Sequence, residues 1–178
     1  MPLPPLLDAL WSELESARSL VLKEVEGLSQ AQADWQPRAT DWSVGEIIHH
    51  LTLAEVGTGK LTSKLLKDAG AAARPFPADL GPPRPLPVPA EPAEAPPGVR
   101  PEHGHAVDRL IADMKAARDR SRQTFERLAA VDPRPLTWRH PRLGELDLAQ
   151  WWQLQAWHDG DHLEQLRSVK ATPGFPAR

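Results

Sequence analysis

The 178-residue chain has no cysteine. That absence excludes disulfides, thiolate metal sites, iron–sulfur clusters and a cysteine nucleophile together. It also lacks any apolar run near the ~18 residues needed to span a bilayer, so no membrane partner is expected. The opening segment MPLPPLLDALW has no basic n-region and meets Asp8 early. It does not read as a secretory signal, and a cytoplasmic protein is expected. Positive charge is not in excess: 21 Lys and Arg face 24 Asp and Glu, for a net charge of −3. Nucleic acid is therefore not an expected partner. No strand-like alternation competes with the helical periodicity, and no internal repeat is evident.

What is present is an ordinary globular composition, 40% apolar and 25% charged, in a chain of single-domain length over residues 1–178. Prolines number twenty, and eleven of them fall within Pro75–Pro101. Each lacks an N–H and clashes with the preceding turn, so this stretch holds no regular helix. Residues 73–101 read as a Pro-rich, polyproline-like crossover.

Outside that stretch the spacing predicts four helices. The first runs from about Leu6 to Leu28, with Leu7, Leu10, Trp11, Leu14, Val21, Val25 and Leu28 mostly three or four apart. A turn region, QADWQPRATDW, follows. The second runs from Val44 to about Asp68. Ser43 and Glu46 form a capping box, Trp42 and Ile47 have staple spacing, and Gly70 suits the terminus. The third spans about Glu102 to Ala130, with Val107, Leu110, Ile111, Met114, Phe125 and Leu128 on one face; Arg118, Arg120 and Arg122 read as solvated charges. After a loop, VDPRPLTWRHPRLGEL, the fourth opens with Asp147 as N-cap, Gln150 at the third position and a Leu146–Trp151 staple, and ends near Val169. Trp152 and Trp157 are then left for an interface or a ligand pocket. The economical fold is an all-α four-helix bundle with a long Pro-rich crossover between the second and third helices. A 25-residue helix is about 37 Å long, and a connector of this length can return along it. The second and third helices are therefore free to run parallel.

Of seven histidines, His158 and His162 are four apart and share one face of the fourth helix, the spacing of two ligands to one metal. The intervening Asp-Gly-Asp is not the pattern of a zinc protease helix. His50 lies on the inward stripe of the second helix between Ile47 and Ala54, while His49 sits 100° away. Three inward histidines satisfy one another through a metal, or else are core histidines satisfied separately. Three His plus water is an open, catalytic type of arrangement. His103 and His105 read as solvated, and His140 as a loop residue bonding locally. Gln165 shares the face of His158 and His162; it either orients a ligand or caps a neighbouring helix. Asp161 lies at the stripe's edge, where it either accepts an imidazole N–H or is solvated, the simpler account, and Asp159 points away from the stripe and reads as solvent-facing. Gly57 leaves room above a metal or marks close helix packing, which is also the simpler account of Gly160.

The run DWSVGEIIHHLTLAE resembles the second-helix motif of the DinB/YfiT-like family, W-S-x-x-E-I-x-x-H-L. HPRLGELDLAQWWQLQAWHDGDHLEQL resembles its fourth-helix motif, H-P-x-x-G, then Q-W, then H-D-x-x-H-x-x-Q, and VEGLSQAQADWQP resembles the approach to the second helix. The resemblance covers most of the chain outside the crossover. It implies a four-helix bundle holding a divalent metal, usually zinc or nickel, through the residues here numbered His50, His158 and His162. Members with known activity include thiol S-transferases using bacillithiol, mycothiol or glutathione, and a mycothiol-dependent isomerase; homodimers are common. This chain departs from the family in its extended Pro-rich insert, which either covers the metal site or is a disordered loop. The functional expectation is a metal-dependent thiol S-transferase or hydrolase acting on a small molecule. No catalytic side chain is assigned beyond the metal's bound water or thiolate. The alternatives are a non-catalytic metal- or small-ligand-binding stress-response bundle, and a metal-free helical protein whose Pro-rich segment binds a partner.

Overall fold

The computed structural model describes residues 2–87 and 94–177. The middle of the expected crossover, residues 88–93, lies outside the described residues. The described residues form five α-helices and one hairpin: α1 (Pro5–Glu24), α2 (Gln30–Asp34), α3 (Val44–Ala69), α4 (Val107–Leu128), β1 (Thr137–His140), β2 (Gly144–Asp147) and α5 (Leu148–Ala171). The four long helices form the bundle. Among the described residues no helix is long and apolar enough to cross a membrane.

The expected capping boxes form at Ser43/Glu46 and Asp147/Gln150. α3 ends on Gly70 at φ 46°, a left-handed geometry that glycine adopts without strain. Two elements differ from the sequence reading. The turn region begins with α2, a five-residue helix closed by its own Ser29/Gln32 capping box. The loop before α5 contains an antiparallel hairpin pairing Thr137 with Asp147 and His140 with Gly144. Its four-residue strands are too short for alternation to register against the surrounding prolines.

Helix directions follow from contacts near the ends. The α3 and α4 exits meet where Phe76 N donates to the Ala130 carbonyl and Asp132 N to that of Arg74, while His49 near the start of α3 meets His105 just before α4. α3 and α4 are therefore parallel, as the crossover length permits. Lys170, at the end of α5, reaches Glu24, at the end of α1, so α1 and α5 are parallel as well.

The core has two lobes. One, around Ile47, Leu51, Met114 and Leu166, fills the end where α3 begins. The other, around Leu10, Leu14, Phe125 and Trp152, fills the opposite end. Trp152 is fully buried against Phe125, ring centroids 4.9 Å apart. Trp151 is the partly exposed member of the pair and donates its Nε1–H to the Trp138 carbonyl. This reverses the sequence assignment, in which Trp151 took the core position. Gly57 and Gly160 are not packing sites: a Cβ at either meets nothing within 4 Å.

Between the lobes lies a buried ion quartet. Arg18 of α1 donates from Nε and Nη2 to the two oxygens of Asp159 on α5, each at 2.9 Å, and its Nη2 lies 2.9 Å from Glu55 of α3. Arg118 of α4 meets Glu55 at 2.8 Å and Asp159 at 3.2 Å. Asp159 and Glu55 are completely buried, Arg18 and Arg118 nearly so. Neither Asp159 nor Arg118 is a solvated charge; each is buried because a partner from another helix neutralises it. Gln155 adds an Nε2–H bond to Asp159.

Removing one member of such a set strands a buried charge, at a cost of about 3–5 kcal/mol. Asp159→Leu is expected to lower stability by about that amount in urea titration. The double variant Arg18→Met/Asp159→Leu keeps Arg118 matched to Glu55 and is expected to lose less than Asp159→Leu alone. A double variant losing the sum of its singles would show that the pairing contributes nothing.

Candidate metal centre

The Ser43/Glu46 box starts α3, and two turns later His50 faces the bundle interior. The Asp147/Gln150 box starts α5, which carries His158 and His162 one turn apart toward His50. The Nε2 of His158 lies 3.0 Å from the Nε2 of His50 and 3.0 Å from that of His162. All three ligand atoms fall within 4.8 Å of one another, in the single cluster of this kind found among the described residues. The structure thus brings together the three histidines singled out from the sequence.

Proton positions follow from the outer partners. The Nδ1 of His50 is 2.6 Å from the Val99 carbonyl, which can only accept, so Nδ1 carries the hydrogen. The Nδ1 of His162 is 2.6 Å from the side-chain carbonyl oxygen of Gln165 and carries a hydrogen for the same reason. The Nε2 atoms of His50 and His162 are therefore bare lone pairs in the neutral rings. His158 can offer one Nε2 hydrogen between them, so at least one 3.0 Å contact sets lone pair against lone pair. A cation at the convergence point satisfies all three. Three neutral imidazole nitrogens whose ligand atoms lie within 4.8 Å of one another are a donor set that would hold such an ion. The residues present fit a divalent metal, and imidazole sets suit zinc, nickel, copper and iron.

Electrostatics keep the lone pairs available. Burial pushes His50 down to about 4, aided by the neighbouring His162 and His49, against the opposing pull of the Val99 carbonyl. Burial likewise holds His158 well below its ordinary value, with further lowering from His162, His50 and the Arg18 guanidinium. His162 is lowered by burial, partly offset by Gln165, Asp161 and Asp159.

Gln165 and Asp161, the residues expected around the histidines, separate. Gln165 orients His162 through its side-chain oxygen. Asp161 is exposed and acts on His162 only through its charge. Trp42, expected as a staple, packs against the Ile47 core lobe and also covers the centre: its ring lies 4.8 Å from His50 and stacks on His162 at 6.1 Å. His103 contacts Glu46 at 3.4 Å. His140 accepts from the Arg142 and Leu143 amides in the hairpin turn, the local bonding expected of it. Sequence reasoning missed Arg18, whose helical spacing carries no hint of its acidic partners, and Val99, whose contribution is a main-chain oxygen.

Freed of metal by a chelator, the protein is expected to lose stability as pH falls from about 6.5 toward about 4. Imidazoles of the unfolded chain take up protons in that window while buried His50 does not, so the unfolded state binds more protons and acid favours it. Melting temperatures at pH 7 and 5.5 measure the slope. His50→Ala should flatten it, and an unchanged slope in that variant would refute the assignment.

Comparison with known proteins bears on the family and the fold. The chain is 26% identical over 164 residues to the uncharacterized protein YuaE of Bacillus subtilis (strain 168), covering 89% of this chain and 96% of that one. Its fold matches the crystal structure of TT2238, a four-helix bundle protein, with a TM-score of 0.64 at 20% identity, over 91% of this chain and 98% of that one. The DinB superfamily model matches residues 13–166, and the chain belongs to that superfamily.

Proposed function

We propose that this chain is a divalent-metal-dependent enzyme, a thiol S-transferase or hydrolase acting on a small molecule, with zinc or nickel held by His50, His158 and His162. The observation that carries this reading is the convergence of three Nε2 atoms with two of them deprotonated by their outer hydrogen bonds. A divalent ion with three protein ligands keeps an open position and lowers the pKa of a thiol or water bound there.

The chain's own groups do the rest. Val99 and Gln165 fix the ring planes and tautomers of His50 and His162. Trp42 presents an aromatic face over two of the rings and limits water on that side. Because the chain has no cysteine, a thiol nucleophile must arrive as a low-molecular-weight co-substrate. In the transfer its proton passes to solvent, its sulfur forms the new bond to the electrophile, and the leaving group departs with the displaced electron pair. The cytoplasm and a homodimer are the expected setting.

The non-catalytic metal-binding alternative differs only in turnover. The partner-binding alternative is disfavoured by the crossover itself: Arg84 pairs with Asp147 at 3.7 Å and the Pro85 carbonyl accepts from Gln150. This part of the proline segment is engaged with its own bundle.

Protein purified without a nickel column is expected to carry about one equivalent of zinc or nickel by mass spectrometry. His50→Ala, His158→Ala and His162→Ala should each abolish it. Turnover of an electrophile with bacillithiol, mycothiol or glutathione should vanish with chelator. Wild-type protein that stays metal-free after incubation with zinc and nickel would sink the reading.

A further inference from the structure

Three histidines stand outside the metal cluster but close to it. The Nδ1 of His49 accepts from the Glu102 amide at 3.0 Å. His103 meets Glu46. The His105 ring packs edge-on against His49 at 4.6 Å, and its Nε2 reaches Glu102 at 3.1 Å. With the His50–Val99 bond, four contacts within residues 99–105 fall on Glu46, His49 and His50 of α3. They all lie at the C-terminal end of the crossover, which runs on past the expected helix start at Glu102 to α4 at Val107, beside the metal ligands.

The local chemistry is consistent. Pro97–Val99 forms one 3-10 turn with Pro at its first position, where its missing N–H costs nothing. The Val99 and Arg100 amides are used inside the turn. The Val99 carbonyl is turned to α3 and taken by His50.

We propose that this end of the crossover, residues 97–105, is a positioning element of the metal centre, docked by His49 and held to His50 through the Val99 carbonyl, so that metal binding and crossover docking strengthen each other. This inference rests on the metal reading above. A cation on Nε2 of His50 requires the tautomer with hydrogen on Nδ1, which is the one Val99 binds. Linkage is reciprocal: the factor by which docking tightens the metal is the factor by which metal tightens docking. The long insert is then a working part of the site, and His49, His103 and His105 have a common task.

The test measures Zn2+ affinity by competition with a chromophoric chelator, in full-length protein of unchanged far-UV circular dichroism. Replacing the rigid turn by Pro96→Gly, Pro97→Ser and Val99→Gly together should weaken Zn2+ binding about tenfold or more. His49→Leu, which removes the acceptor for the Glu102 amide, should weaken it as well, whereas His49→Gln keeps an acceptor oxygen and should restore it. In the wild type, Zn2+ should slow amide hydrogen exchange in residues 94–106. Zn2+ bound equally well by wild type and both weakened variants, or exchange in 94–106 indifferent to Zn2+, would overturn the proposal while leaving the metal reading standing. No Zn2+ binding by the wild type would overturn both.

Discussion

Everything in this molecule is hung on one buried electrostatic contact, the quartet of Arg18, Glu55, Arg118 and Asp159. Each bundle helix supplies one member, and each guanidinium meets both carboxylates. Two positive and two negative charges cancel, so the desolvation cost that isolated charges would carry is offset inside the set. Apolar side chains of similar volume would hold the helices together as well. What they would not supply is a register. A helix that slides by one residue also turns by 100°, and in this core that turn would strand an ion. The contact therefore selects one axial position and one rotation for every helix.

The metal centre inherits that selection. Asp159 directly follows His158, and Glu55 lies five residues beyond His50. Fixing the two carboxylates against the two guanidiniums fixes α3 against α5, and with it the 3.0 Å spacing of the Nε2 atoms. Burial is the chief reason His158 stays neutral, followed by the neighbouring His162 and His50; the Arg18 guanidinium, which helps set the geometry, adds to them.

How much of this was legible depended on whether the signal was local. The helices, two of the three capping boxes and the glycine stop of α3 are local, and the sequence spelled them. Ser29 and Gln32 spelled a third box, but a five-residue helix is too short for periodicity to support it. The metal cluster was legible because helical geometry makes a four-residue spacing and an inward stripe visible. The quartet was not. A carboxylate off the apolar stripe reads as solvated by its residue type, and the partners of Asp159 lie 141 and 41 positions away. Val99 was illegible for a different reason: a carbonyl oxygen is common to every residue, so no side chain marks it.

The histidines show how one residue type serves unlike tasks according to what each nitrogen faces. In His50 one nitrogen faces the cluster and the other faces the crossover. A lysine ammonium has donors only and an ionised carboxylate acceptors only; a neutral imidazole presents an N–H on one edge and a lone pair on the other, and burial keeps His50 neutral. The crossover's length follows from the same requirement. A parallel α3–α4 pair obliges the chain to travel back along the bundle. The returning strand reaches the start of α3, where His50 is already turned toward the bundle interior with Nδ1 to spare. The topology thus delivers a backbone carbonyl to the ligand that needs one: Val99 closes the short 3-10 turn, and its carbonyl goes to His50.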